Sequence, residues 1–287
     1  MSSSDPVPVA GEFDPVPVVH EVATPLGPAR LHVHLPPEAP GAPGVPEVRE
    51  VDSATPGTTR GTLVLGHGAG GGTEAPDLVA VTLAGTAAGW RVVLVEQPWR
   101  VAGKKVAPAP SRLDTGWLAA LDGLAALDHG AALDQAAGSD GTATGPGAPL
   151  VVGGRSAGAR GGCRTARAIG ADGVVCLSFP LHPPGKPERS RAGELTGAGV
   201  PVLVVQGERD PFGRPDEVRA ASAAGPSSPG ASPGASAGAA EIEVVAVPGD
   251  HGLGRGAVDA GRAVGSWLAT RFPAVVVGHP DGGARRR

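Results

Sequence analysis

The sequence predicts an α/β fold, a mostly parallel twisted sheet with helices on both faces and no large cap domain. Three observations predict it. Short Val- and Leu-rich runs alternate along the chain with stretches of helical period. The inner runs, such as TLVLG, RVVLV and VLVV, are apolar at consecutive positions, as strands buried on both faces must be. Only about 20 residues lie between the runs at 173–180 and 200–207, too few for a helical cap between them.

The elements follow in order. Residues 1–17 repeat Asp-Pro-Val-Pro-Val at positions 5 and 14, and alternating Pro prevents ladder hydrogen bonding, so a disordered tail is expected. Residues 18–35 read as two strands around a Pro-Leu-Gly-Pro turn. Residues 36–60 are a Pro/Gly insert. TLVLGHG (62–68) is a buried strand ending in glycines. A helix over 76–88 starts at Pro76-Asp77, with Pro in the first turn and an acid at the positive end. RVVLVEQP (91–98) is a strand, and Leu113, Trp117, Leu121, Leu124 and Leu127 fall at helical spacing over 113–128. Residues 135–149 are a Gly/Ala/Thr insert. PLVVGG (149–154) is a strand, 157–169 a helix, GVVCLSFP (173–180) and VPVLVVQG (200–207) strands, and 214–223 a short helix. Residues 224–240 have linker composition. EIEVVAVPG (241–249) is the last strand and 256–271 the last helix. The expected organisation is one domain over 18–275, with flexible inserts at 36–60, 135–149 and 224–240, and a tail over 276–287.

Composition narrows the function classes. The chain has 287 residues and a formal net charge of −4, which argues against a broad nucleic-acid surface. Three Lys stand against 21 Arg, a bias in keeping with GC-rich coding. Cys163 and Cys176 are the only cysteines, too few for a disulfide framework or a cysteine zinc site, and read as reduced buried thiols. No signal peptide and no apolar run of membrane-spanning length is evident, so a cytoplasmic location is expected. No cofactor or metal is expected. His32 and His34 read as an exposed pair without a carboxylate partner.

Ligands of parallel sheets sit at the carboxyl ends of the strands. Three of those ends carry triad chemistry. Ser156 follows PLVVGG inside Gly154-Arg155-Ser156-Ala157-Gly158, Asp210 follows VPVLVVQG, and His251 follows EIEVVAVPG. A serine hydroxyl needs an imidazole to take its proton, and the imidazole needs a carboxylate to hold its tautomer. The G-x-S-x-G pattern alone is weak here. With 47 Gly, random order yields about 0.4 matches, and Ser232 and Ser236 also fit it. Neither of those follows a strand or precedes a helix. Glu208 rivals Asp210 as the acid. The N–H groups of Ala69, in the loop after 62–68, and of Ala157 are the expected oxyanion donors.

The order Ser, acid, His is that of the α/β hydrolases. The segments GHGAGGG, VEQPWRVAGKKVAPAP, LVVGGRSAGARGGCRTA, LSFPLHPPGKPERSRAGEL, VLVVQGERDPFG and VPGDHGL together resemble the dienelactone-hydrolase branch of that superfamily. They are also similar to the family containing the testis-expressed-protein and NSL-complex-subunit hydrolase-like domains. The resemblance covers roughly 60–270 and implies the α/β-hydrolase fold, with Ser156, Asp210 and His251 in the triad positions. It says little about substrate. Serine in place of the cysteine of dienelactone hydrolases favours ester or thioester chemistry over lactone hydrolysis.

Further residues are candidates for substrate binding. Arg100, Arg155 and Arg160 suggest a clamp for an anionic group, with solvated, carboxylate-paired arginines as the alternative. Arg189 and Arg191 also follow a strand end. His182 is a candidate pocket residue, and Trp99, Phe179 and Phe212 are candidate walls of a shallow site under the loops at 98–112 and 180–199. The expected partner is a small-molecule ester or thioester, and a protein partner is compatible with the fold. One alternative is a catalytically silent interaction protein on the same fold. A weaker one is a dinucleotide-binding protein, since Gly66-His67-Gly68-Ala69-Gly70-Gly71 followed by Glu96 fits a Rossmann fingerprint. His67 otherwise reads as structural.

Overall fold

The computed structural model describes residues 16–37, 59–136, 148–224 and 241–273. The repeat at 5–18 falls largely outside them. So do the bulk of the inserts expected at 36–60, 135–149 and 224–240, with Ser232 and Ser236, and the tail at 276–287.

Eight strands form one sheet: β1 (Val18–Val22), β2 (Ala29–His34), β3 (Thr62–Gly66), β4 (Arg91–Glu96), β5 (Leu150–Arg155), β6 (Gly173–Leu177), β7 (Val202–Gly207) and β8 (Ile242–Val247). Their spatial order is β1-β2-β4-β3-β5-β6-β7-β8. β1 and β2 are antiparallel additions at one edge, and the six strands from β4 to β8 run parallel. Six parallel carboxyl ends therefore open on one side of the sheet, with β5 near the middle.

The period-two side-chain alternation of strands divides the core in two. Val64, Val152, Val174 and Val204 face Trp117 and Leu124 of α3 (Pro110–Ala136), Cys163 of α4 (Ala157–Thr165), Leu195 of α5 (Ala192–Thr196) and Val218 of α6 (Pro215–Ala223). Leu63, Leu65, Val175 and Leu203 face Leu78 and Val81 of α1 (Pro76–Ala87), and Val264 and Leu268 of α7 (Ala257–Arg271). Helices thus cover both faces, as consecutive apolar strand positions require.

Several expectations need revision. α3 begins three residues before the periodic stretch and runs to Ala136. The loop at 98–112 opens with a one-turn helix, α2 (Pro98–Val101), and the loop at 180–199 contains α5. α4 ends at Thr165 rather than at 169. His32 has a carboxylate partner after all. β2 lies antiparallel to β4, which puts Glu96 Oε2 3.5 Å from His32 Nε2, and His34 is buried. Cys163 and Cys176 are free buried thiols, with their sulfurs 3.4 Å apart between α4 and β6.

Candidate active site

The strand-to-helix turn at the end of β5 has a backbone that only a small-residue sequence permits. Ser156 sits at φ 52°, ψ −104°, a conformation that L residues rarely adopt. Gly154 has φ 139°, and a Cβ there or on Gly158 would run into the Gly66 carbonyl oxygen of β3. The two motif glycines thus let β3, β5 and α4 meet closely enough to make the turn. The Ser156 N–H donates to the Leu177 carbonyl of β6 at 2.9 Å, which ties the turn to the sheet.

The side chains at three strand ends form one hydrogen-bonded relay. Ser156 Oγ lies 2.9 Å from His251 Nε2, and His251 Nδ1 lies 2.8 Å from Asp210 Oδ2. The carboxylate is fully buried and the imidazole side chain is 20% exposed. Asp210 can only accept, so Nδ1 carries a proton, and Nε2 is left to take one from the serine. Glu208 is exposed, and among the described residues it forms no hydrogen bond or ion pair with His251.

The carboxylate is itself held in place. Asp210 Oδ1 accepts from the Phe212 N–H at 2.8 Å, and Oδ2 accepts from Gln206 Nε2 at 2.9 Å. The Gln206 amide also reaches the carbonyls of Gly213, at 2.7 Å, and Phe179, at 3.2 Å. Gln206 is fully buried inside the apolar run of β7. A buried amide in such a place needs partners, and the acid is one of them. Sequence reasoning passed over it, although one polar residue inside VLVVQG was a visible signal. Phe212 stacks on the His251 ring, with centroids 4.2 Å apart and planes tilted 34°.

The loop after β3 meets the serine from the other side. A Cβ on Gly68 would lie 3.5 Å from Ser156 Cβ. Ala69 and Ala157 border the same crevice, and among the described residues neither N–H donates to a protein acceptor. His67 holds this loop. Its Nε2 accepts from the Gln97 N–H at 3.1 Å, so Nδ1 is the donor to the Gly68 carbonyl at 2.9 Å. Burial pushes the imidazole below its usual range, in keeping with a neutral ring that uses both nitrogens. Trp99 packs edge-to-face on it at 5.5 Å.

Two of the arginines are paired with carboxylates, the alternative set against the anion clamp. The Arg155 side chain is largely buried. Its Nε lies 3.1 Å from Asp77 Oδ2 at the start of α1, where the carboxylate is fully buried. Its Nη2 donates to the His251 carbonyl at 3.2 Å. Its Nη1 lies against Gly68 and Gly71. One guanidinium thus joins the serine turn, the histidine loop, the loop after β3 and α1. Arg160 is likewise engaged, in a two-pronged pair with Glu194 at 2.8 and 2.5 Å, and Arg164 joins Glu194 to Asp114. Burial pushes the Glu194 carboxyl up, but Arg160 and Arg164 outweigh it and hold it below its ordinary value. Arg155 and Arg160 are therefore partnered and not free for a ligand. Arg100 is half-exposed, with Glu74 at 3.7 Å.

Two aromatic and imidazole candidates also change role. Phe179 is fully buried in the core and walls no open site. His182 is buried, held by the Pro183 carbonyl at 3.0 Å and facing Glu217 at 3.6 Å. The glycine loop departs from a dinucleotide fingerprint as well. α1 starts at Pro76, after Gly71, whereas the last fingerprint glycine should open the helix.

A family model described as an alpha/beta hydrolase domain matches residues 59–228, more than half of the chain. The chain belongs to this alpha/beta hydrolase family. The match spans Ser156 and Asp210. No curated protein matches significantly. Among solved structures, the fold is similar to an alpha-beta serine hydrolase homologue from Coxiella burnetii, at 14% identity and TM-score 0.60, covering 90% of this chain and 100% of that one. A serine hydrolase without lid from Xanthomonas campestris aligns at 18% identity and TM-score 0.57, covering 91% and 98%. Est1E from Butyrivibrio proteoclasticus, with bound ferulic acid, aligns at 14% and 0.61, covering 89% and 100%. At these identities the likeness is one of fold. Among the described residues of this alpha/beta hydrolase, no helix is long and apolar enough to cross a membrane.

Proposed function

We propose that this α/β hydrolase cleaves a carboxylic ester or thioester through an acyl-enzyme on Ser156. The observation that carries the reading is the continuous relay Ser156 Oγ, His251 Nε2, His251 Nδ1, Asp210 Oδ2, with both steps under 3 Å. In this reading His251 takes the serine proton as Oγ attacks the carbonyl carbon. The N–H groups of Ala69 and Ala157 receive the developing oxyanion, a donor of this kind being worth about 3 kcal/mol. His251 then returns the proton to the departing oxygen or sulfur, and water repeats the sequence on the acyl-enzyme. Asp210 stabilises the imidazolium without taking its proton. Similarity to the branch containing the testis-expressed-protein and NSL-complex-subunit domains belongs to the same proposal, as does a cytoplasmic site of action.

The reading also gives the substrate a negative charge, held by rim cations and not by Arg155 or Arg160. Residues 98–112 and 183–191, which follow β4 and β6, carry seven basic residues against one acid, Glu188. Of these, Lys104, Lys105, Arg112, Lys186 and Arg189 are exposed and make no ion pair among the described residues. Stopped-flow hydrolysis of p-nitrophenyl esters tests the chemistry. A burst of nitrophenol equal to the enzyme concentration is expected, and its absence in Ser156→Ala. A folded protein with no turnover on esters or thioesters would instead favour a silent interaction domain.

A further inference from the structure

We infer that a cleft beside Trp99 binds a small carboxylate with a short apolar body, held between Lys104 and Arg112. The inference stands on the cleft and does not depend on the hydrolase reading.

Segments distant in sequence build the cleft. Leu26 comes from the turn between β1 and β2, Gln97 from the end of β4, and Trp99 from α2. Lys104 and Val106 come from the loop between α2 and α3, and Arg112 from the first turn of α3. The space between them is about 170 Å³. That is below the roughly 300–1,000 Å³ of a drug-sized site, so the occupant is small.

The lining sets the charge of the occupant. Lys104 and Arg112 are its only charged residues. Both are exposed, and neither has a carboxylate partner among the described residues. Arg155, Arg160 and Arg164, by contrast, each meet a carboxylate. Two like charges lining one small cleft raise the positive potential there, and an anion between them relieves it. A guanidinium fork takes a carboxylate through two parallel hydrogen bonds.

Neutral donors add to the cations. Gln97 is 7% exposed, and among the described residues its amide nitrogen makes one hydrogen bond, to the Leu113 carbonyl at 3.4 Å. One of its two N–H groups is left over. The Trp99 indole N–H is also buried and has no acceptor among the described residues. Buried donors of this kind call for partner oxygens. Leu26 and Val106 supply apolar wall, and a short apolar body would cover Val106, which is otherwise 81% exposed.

The wall is anchored to the proposed active site. The Lys104 N–H donates to the Trp99 carbonyl at 3.0 Å, and Trp99 packs on His67. Gln97 and Trp99 also border the crevice at Ala69 and Ala157. The carboxylate therefore belongs either to the substrate or to a separate small acid bound next to it.

The test titrates the full chain with phenylacetate by calorimetry, with phenylacetamide as the neutral control. Saturable one-to-one binding of phenylacetate is expected, with phenylacetamide about tenfold weaker or more, the scale of one charge-assisted hydrogen bond. Arg112→Gln and Lys104→Gln should each weaken phenylacetate about fivefold, the scale of an exposed ion pair. Both side chains are exposed, so the melting temperature should be kept. Lys186→Gln changes an exposed cation outside the cleft and should leave Kd within twofold. No binding, equal affinity for the two probes, or a loss in Lys186→Gln as large as that in Arg112→Gln would overturn the inference. Phenylacetate that raises KM for p-nitrophenyl acetate at constant kcat assigns the site to the substrate, and phenylacetate that lowers kcat assigns it to a separate acid. A chain that binds phenylacetate in this way but turns over no ester would overturn the hydrolase reading alone.

Discussion

Arg155→Met removes the guanidinium that joins four parts of the site. Its carboxylate partner, Asp77, is fully buried, and the Arg155 side chain is only 16% exposed. Removing one member of such a pair leaves the other charged in a low-dielectric place, and the loss is about 3–5 kcal/mol. The pH dependence has a defined sign. Burial already raises the Asp77 carboxyl above its ordinary value of 3.8, and the Arg155 charge is the strongest opposing influence. Without Arg155 the value rises further. A carboxyl raised in the folded state binds protons more tightly there than in the unfolded chain. Its contribution is then present below 3.8 and lost as pH rises through the folded value. The deficit of Arg155→Met relative to wild type should thus be largest at pH 8 and shrink on acidification toward pH 5. Urea unfolding followed by tryptophan fluorescence, with unchanged m values, measures it. Asp77→Asn added to Arg155→Met should recover a large part of the loss, because no unpaired charge remains. A loss under about 1 kcal/mol at pH 8, or a double variant as unstable as the summed singles, would refute the buried-pair argument.

Other predictions concern the relay and its supports. Gln206→Leu removes a charge-assisted hydrogen bond to Asp210, so kcat should fall about ten- to a hundredfold with little change in KM. Steady-state ester kinetics check this, and an unchanged kcat would remove Gln206 from the positioning of the acid. His67 is lowered by burial from 6.5, so its contribution to stability is present above that value and lost as pH falls below it. Thermal melts should show stability declining below pH 6.5 in wild type, with a shallower slope in His67→Gln. Asp210→Asn should lower kcat about 10⁴-fold by presenting the wrong donor to His251, while Glu208→Gln should leave kcat within twofold.

Much of this arrangement was legible because α/β sheets place chemistry at strand ends. Ser156, Asp210 and His251 are each found within four residues of a strand end, so a one-dimensional pattern was enough to nominate them. What escaped were pairings made by the third dimension. Arg155 and Asp77 are far apart in sequence and meet only because the turn after β5 packs beside the start of α1. Arg160 reads as a ligand-binding cation until α5 brings Glu194 against it. His32 meets Glu96 only because β2 inserts antiparallel beside β4. Phe179 follows a strand end, as a pocket wall would, but its side chain turns into the core. α2 and α5 are one or two turns long, too short for a hydrophobic period to show. Gln206 is the instructive omission, since a lone amide in a buried strand must be serving a partner.

The central claim is that Ser156 is the nucleophile. Treatment of the folded protein with a fluorophosphonate probe, followed by peptide mass spectrometry, tests it most directly. One modified serine is expected, Ser156, with labelling abolished in Ser156→Ala and strongly slowed in His251→Ala. A folded, unlabelled protein, or a label on Ser232 or Ser236 instead, would contradict it.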